Sequence, residues 1–177
     1  VLLPALFLGA CAKDRIHTLR VSVPEQRMAL YKKDVEIARY TISTSKFGLG
    51  NEPGSNRTPL GKLEIARKIG AGAPVGMKFK SREPTGEIVP VDAPGRDPII
   101  TRILWLRGLE RANANAFERM IYIHGTPQES LLGTAASYGC VRMRSVDIVE
   151  VFNQVGEGAR VWIETRPLPA VQRTPQP

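Results

Sequence analysis

The chain contains two cysteines and two histidines, and one of each is placed where it could do chemistry. His124 closes the apolar run Ile121-Tyr122-Ile123 and is followed by Gly125, where the chain must turn. An ionisable residue at the end of a strand is placed to face a cleft. Sixteen positions later comes Ser137-Tyr138-Gly139-Cys140-Val141-Arg142-Met143. Gly139 permits close backbone approach or an unusual dihedral. Cys140 lies ahead of a helical segment starting near Ser145, and the N–H groups there, with Arg142, would favour thiolate over thiol. A thiolate attacks carbonyl carbon, and a neighbouring imidazole can take the thiol proton and return it to a leaving amine. The N–H groups around Gly139 and Cys140 could receive an oxyanion. Arg142 can hold a carboxylate through paired hydrogen bonds. These residues by themselves leave two readings of Cys140 open, a nucleophile or a small buried core residue.

Other chemistries find little support. His17 precedes the first strand without a partner in view and reads as an exposed or capping residue. Two cysteines and two histidines without paired spacing do not make a four-ligand metal set. Phe47-Gly48-Leu49-Gly50 lacks the strand–helix context and the Lys-Ser/Thr end of a phosphate loop. The formal charge is +8, which suits an anionic surface or polymer. The basic residues are dispersed, without a block or an aromatic-studded stripe, so nucleic acid is not an expected partner.

The elements that must position Cys140 and His124 are mostly strands. Residues 18–23, 28–31 and 35–43 alternate or run apolar, with Lys32-Lys33-Asp34 as a tight turn, and predict successive antiparallel strands. Residues 47–59 hold three glycines and two prolines and predict a long loop. Residues 60–66, 99–106, 119–124 and 159–164 are further strands. Residues 70–98, rich in Gly and Pro, predict short strands and excursions, and residues 109–120 one or two helical turns. One amphipathic helix follows Cys140, with Ser145 as N-cap, Asp147 at the positive end of its dipole and Gly156 as its stop. The 177 residues suit one domain, mainly β, over 16–165.

The ends read differently. Residues 1–15 open with ten apolar or small residues before Cys11, like the core and cleavage region of a secretory signal. Leu8-Gly9-Ala10-Cys11 resembles a bacterial lipoprotein signal, in which the cysteine carries lipid and tethers the protein to a membrane. That places the chain in the cell envelope or periplasm and leaves Cys140 unpaired; a disulfide between Cys11 and Cys140 is the alternative. The tail 166–177, with four prolines, predicts disorder.

At Ile123-His124-Gly125-Thr126 and Ser137-Tyr138-Gly139-Cys140-Val141-Arg142-Met143 the sequence resembles the L,D-transpeptidase catalytic domain, or YkuD, family. Thr58-Pro59-Leu60-Gly61, with Leu63 and Ile65, resembles an upstream strand of that family. The resemblance implies a β-sandwich-type fold with a cysteine cleft. It implies attack by Cys140 on the amide between the L-centre of a diamino acid and the following D-alanine of a peptidoglycan stem peptide. The thioester would then pass to an amine of a neighbouring stem or a wall-anchored protein. His124 would be base and then acid, oriented by the Gly125 carbonyl, with no cofactor. Gly139 and Tyr138 would serve the oxyanion, and Arg142, Ser137 and Thr126 the substrate. The chain departs from the family at Tyr138, where histidine is usual; its hydroxyl could donate a hydrogen bond, or its ring could cover the cleft wall. Two alternatives accompany this reading: an L,D-carboxypeptidase or endopeptidase using the same thioester, and a lipid-anchored wall-binding protein without turnover. A monomer is expected.

Overall fold

A computed structural model of the chain describes residues 13–170; the signal-like segment with Cys11 and the end of the proline-rich tail lie outside the described residues. Strands β1 (His17–Ser22), β2 (Arg27–Lys32) and β3 (Val35–Ser43) pair antiparallel in succession. The β2–β3 turn is Lys33-Asp34, both in the left-handed region at φ 48° and 65°, the backbone that a two-residue hairpin needs to match strand twist. Then come β4 (Gly61–Ile69), the hairpin β5 (Met77–Lys80) and β6 (Glu83–Ile88), β7 (Ile99–Gly108), a 3-10 turn (Arg111–Ala116) and β8 (Tyr122–Gly125). The chain ends with β9 (Val141–Met143), the helix α1 (Ser145–Gln154) and β10 (Arg160–Glu164).

The ten strands make one sheet in the order β4-β10-β1-β2-β3-β9-β8-β7-β5-β6, and β4 also pairs with β7. Eight strands therefore close into a ring, with the β5–β6 hairpin attached outside it. The fold is mainly β with one α-helix after the cysteine. Two pairings are parallel, β1 with β10 and β8 with β9, because the chain returns to each through a connection too long for a hairpin.

Strand alternation fills the ring. Leu19 and Val21, Leu63 and Ile65, Leu104 and Leu106, and Val161 and Ile163 point inward, joined by Ile148, Val151 and Phe152 of α1. Burying each such side chain contributes about 1.5–3 kcal/mol. A one-residue slip of any strand would turn its inward row to solvent, so register is firmly set.

Three local expectations are corrected. Ser145 is the first residue of α1 rather than its N-cap, which is Arg144 without a side-chain cap bond. The Ser145 hydroxyl bonds Thr101 Oγ1 at 2.7 Å and its N–H donates to Glu129 Oε1 at 2.9 Å. His17 is buried and pairs through Nδ1 with Asp14 at 2.9 Å. The start of the proline-rich tail is laid on the domain: Leu168 is buried, and its N–H donates to Glu25 Oε2 at 2.6 Å.

Candidate active site

His124 and Cys140 arrive on neighbouring strands. β8 and β9 pair parallel with Ile123 opposite Val141 and His124 opposite Arg142. Ile123 and Val141 face the ring core. Alternation therefore turns Tyr122, His124 and Arg142 to the other face. Cys140, just before β9, packs with Tyr122, Trp105, Ile103 and Phe79 on that same face. Its sulfur accepts the Tyr122 N–H at 3.4 Å, and its S–H points to the Met120 carbonyl at 3.5 Å. Met120 presents that carbonyl from a left-handed backbone, φ 57°, unusual for a residue with a side chain.

His124 is buried, and its Nδ1 lies 2.8 Å from the Gly125 carbonyl oxygen. A carbonyl only accepts, so Nδ1 carries the proton and Nε2 keeps its lone pair for a base. Gly125 has no room for a side chain: a Cβ would lie 2.7 Å from the Ile100 carbonyl oxygen. Burial holds the His124 pKa below its ordinary 6.5, against the opposing pull of the Gly125 hydrogen bond. Burial also pushes the Cys140 thiol up to about 11, helped by Asp97 and opposed by the Tyr122 N–H and Arg119. Both shifts run toward the uncharged forms, thiol and neutral imidazole, and against the thiolate expected from the sequence. The physical cause is burial of the sulfur among Tyr122, Trp105 and Phe79.

This sets the pH dependence. Alkylation of Cys140 by iodoacetamide, followed on its own peptide, is expected to be slow at neutral pH and to climb about tenfold per pH unit toward pH 11, since only thiolate reacts. A plateau beginning between pH 6 and 8 would mean a stabilised thiolate and refute the neutral pair.

The Ser137–Cys140 turn is tied down from within. Gly139 has φ 121°, a backbone suited to glycine. Its carbonyl accepts from Thr58 Oγ1 at 3.0 Å, and its N–H donates to Ser137 Oγ at 3.3 Å. The Ser137 hydroxyl in turn donates to the Cys140 carbonyl at 2.6 Å. Arg119 anchors the 47–59 loop beside this turn, donating to the carbonyls of Gly50 at 3.1 Å and Arg57 at 2.6 Å. The N–H groups of Tyr138 and Cys140 make no hydrogen bond to described residues and remain available to an oxyanion; that of Gly139 is already engaged.

The side chains of four expected site residues have partners within the fold. Tyr138 is 62% exposed, lies edge-on to Phe47, and accepts from Lys46 Nζ at 2.8 Å. Its hydroxyl faces solvent and Lys46. Thr126 is buried and donates to Asp97 Oδ1 at 2.5 Å, and Ser137 is the turn clasp just described. Arg142 is 1% exposed and binds Asp97 Oδ2 at 2.5 Å, Gln128 Oε1 at 3.1 Å and Ser43 Oγ at 3.1 Å. Arg142, Thr126 and Ser137 therefore brace the site's frame through these bonds. Asp97, which sequence reasoning missed, joins Arg142 and Thr126 and acts electrostatically on both His124 and Cys140. A lone Asp before Pro98 in a Gly/Pro-rich stretch carries no signal of that role. Among the described residues no group of three or more His, Cys, Asp or Glu could hold a metal ion.

A closed mainly β sheet carries His124 on β8 and Cys140 just before the neighbouring parallel strand β9, both on its outer face. The chain belongs to the L,D-transpeptidase catalytic domain family, whose model matches residues 16–163. Similar solved structures include an L,D-transpeptidase from Mycobacterium smegmatis (14% identity, TM-score 0.53, 84% of this chain and 58% of that one). Another is L,D-transpeptidase 3 from Mycobacterium tuberculosis in complex with a faropenem-derived adduct (17%, 0.55, 84% and 60%). A third is an L,D-transpeptidase from Xylanimonas cellulosilytica (15%, 0.55, 87% and 62%). The chain thus spans about three fifths of the length of the structures it matches. No curated relative matches the chain.

Proposed function

We propose that the protein is an L,D-transpeptidase of the cell envelope that acts on peptidoglycan stem peptides through a thioester on Cys140. One observation carries the reading. His124 spends Nδ1 on the Gly125 carbonyl, which leaves Nε2 as the proton acceptor on the face that bears Cys140. In the first half-reaction Nε2 takes the thiol proton as sulfur attacks the amide carbon. The oxyanion is received by the Tyr138 and Cys140 N–H groups. The imidazolium then protonates the leaving D-alanine amine as the C–N bond breaks. In the second half-reaction an acceptor amine attacks the thioester, loses a proton to Nε2, and the thiolate leaves and is reprotonated. The exchange of the family's usual histidine for Tyr138 leaves this pair intact, since the Tyr138 side chain is directed at Lys46 and Phe47.

The test is incubation of the purified protein with defined disaccharide–tetrapeptide fragments and mass analysis of the products. Cross-linked dimers with free D-alanine are expected. Trimmed monomers alone would make the protein an L,D-carboxypeptidase, and unchanged fragments would leave only a wall-binding role.

A further inference from the structure

The outer face of β4, β10, β1, β2 and β3, away from the catalytic pair, is cationic in a particular way. Its cross-strand rows are set by register: Arg107, Glu64, Arg160 and Thr18 in one, Lys62, Trp162, Arg20, Ala29 and Arg39 in the next. The three carboxylates in its outward strand rows are nearly covered, Glu64 at 9%, Glu164 at 12% and Glu36 at 14% side-chain exposure, while Glu157 beside Lys13 and Arg107 and Glu25 near Arg39 stand exposed at its edges. The cations above the three covered ones are far more open. Lys13, Arg107 and Arg160 over Glu64 are 58%, 50% and 44% exposed. Arg20 and Arg166 over Glu164 are 27% and 68% exposed, and Arg39 beside Glu36 is 24% exposed. Lys62 adds another, its Nζ 4.9 Å from the Trp162 ring centre. Seven cations thus form the outer layer over three submerged carboxylates. A half-buried tryptophan among basic side chains suits a headgroup layer, where an amphipathic ring is at home.

The chain also enters here. Lys13, the first described residue, reaches Glu64 at 3.7 Å. Cys11 is two positions earlier, behind ten apolar or small residues. Two residues span at most about 7 Å, so a lipid on Cys11 would hold this face against the bilayer it enters. In the ring of eight strands, β1 is four places from β8 in either direction. The face that carries Arg20 and Trp162 is therefore diametrically opposed to the strand that carries His124.

We infer that this face docks on the anionic headgroups of a membrane and turns the Cys140 cleft outward, away from the lipid. The inference rests on the envelope location proposed above and is independent of the reaction. Each exposed cation near an anionic surface is expected to strengthen binding about five-fold.

The full chain would be sedimented with vesicles of phosphatidylcholine alone or with one third phosphatidylglycerol. Binding to the anionic vesicles is expected to exceed that to the neutral ones and to fall steeply between 0.05 and 0.5 M salt, roughly as screening shortens. A triple variant Lys62→Gln/Arg107→Gln/Arg166→Gln should lose about a hundred-fold in partitioning. A control that removes three exposed cations elsewhere, Lys80→Gln/Arg96→Gln/Arg111→Gln, should lose less than about three-fold. Equal losses in the two triples, equal binding to both vesicle types, or retention on wall sacculi without vesicle binding would each overturn the inference. Turnover of soluble stem peptide should be unchanged in the first triple, so a failed docking result and a failed reaction remain distinguishable.

Discussion

Replacing Cys140 by alanine is expected to abolish D-alanine release, dimer formation and covalent acylation together, with kcat falling on the order of 10^4-fold or more. No other group on the face is placed to take over. Tyr138 is turned to solvent and the buried hydroxyls of Ser137 and Thr126 are engaged. The fold should survive, because the sulfur makes only two hydrogen bonds, both long, at 3.4 and 3.5 Å; their loss with that of its packing costs about 1–2 kcal/mol. His124→Gln makes the informative companion. It removes the base and keeps the thiol, whose pKa lies at about 11. Its residual rate should be very low at pH 7, where the thiolate is about one part in ten thousand, and should recover about tenfold per pH unit. The alanine variant should show no such recovery. The proposed reaction of the unaltered protein should run flat through neutrality, because burial holds the His124 pKa below its ordinary 6.5. If Cys140→Ala keeps forming product, sulfur is not the nucleophile and the thioester mechanism fails.

The sequence reveals the chemistry more readily than the frame. The two short motifs with His124 and Cys140 stand in the right order, and the strands flanking them alternate visibly, so the placing of His124 and Cys140 on neighbouring segments, the β2–β3 hairpin and the one helix are all legible. Closure of the sheet is not. It depends on β4 pairing with both β10 and β7, and the inward rows of a ring and of two packed sheets have the same period. The neutral state of the pair is also hidden. An Arg two residues from a cysteine suggests a thiolate, but the Arg142 guanidinium is held by Asp97, Gln128 and Ser43, and the sulfur is left among Tyr122, Trp105 and Phe79. Asp97 illustrates the general difficulty. Its partners Arg142 and Thr126 are 45 and 29 positions away, and nothing local to the 89–98 loop announces them. Tyr138 is the reverse case, a conspicuous substitution in the motif whose side chain is exposed and held by Lys46 and Phe47.

Arg142→Met should then have the second largest effect, on stability as well as on the pH profile. The guanidinium is almost fully enclosed and spans three elements: Asp97 of the loop before β7, Gln128 after β8 and Ser43 at the end of β3. Taking one member out of such a buried pair costs about 3–5 kcal/mol, because the remaining charge is left without compensation. The low end of that range is expected, for two reasons. Asp97 keeps 17% of its side chain in contact with solvent and can hydrate, and Arg142 Nε already lacks a partner in the native fold. Chemical denaturation would read the loss as a lower midpoint with an unchanged slope. The double variant Arg142→Met/Asp97→Asn should recover part of it, since the asparagine can still accept from Thr126. The electrostatic consequence has a fixed sign. Arg142 holds the His124 pKa down and Asp97 pulls it up, so the single variant raises that pKa. Where the native rate falls only in acid, below the depressed imidazole value, the Arg142→Met rate should begin to fall at higher pH. The double variant should shift it back. A stability loss without movement of that acid limb would mean that Asp97 and Arg142 hold the fold but do not tune the base.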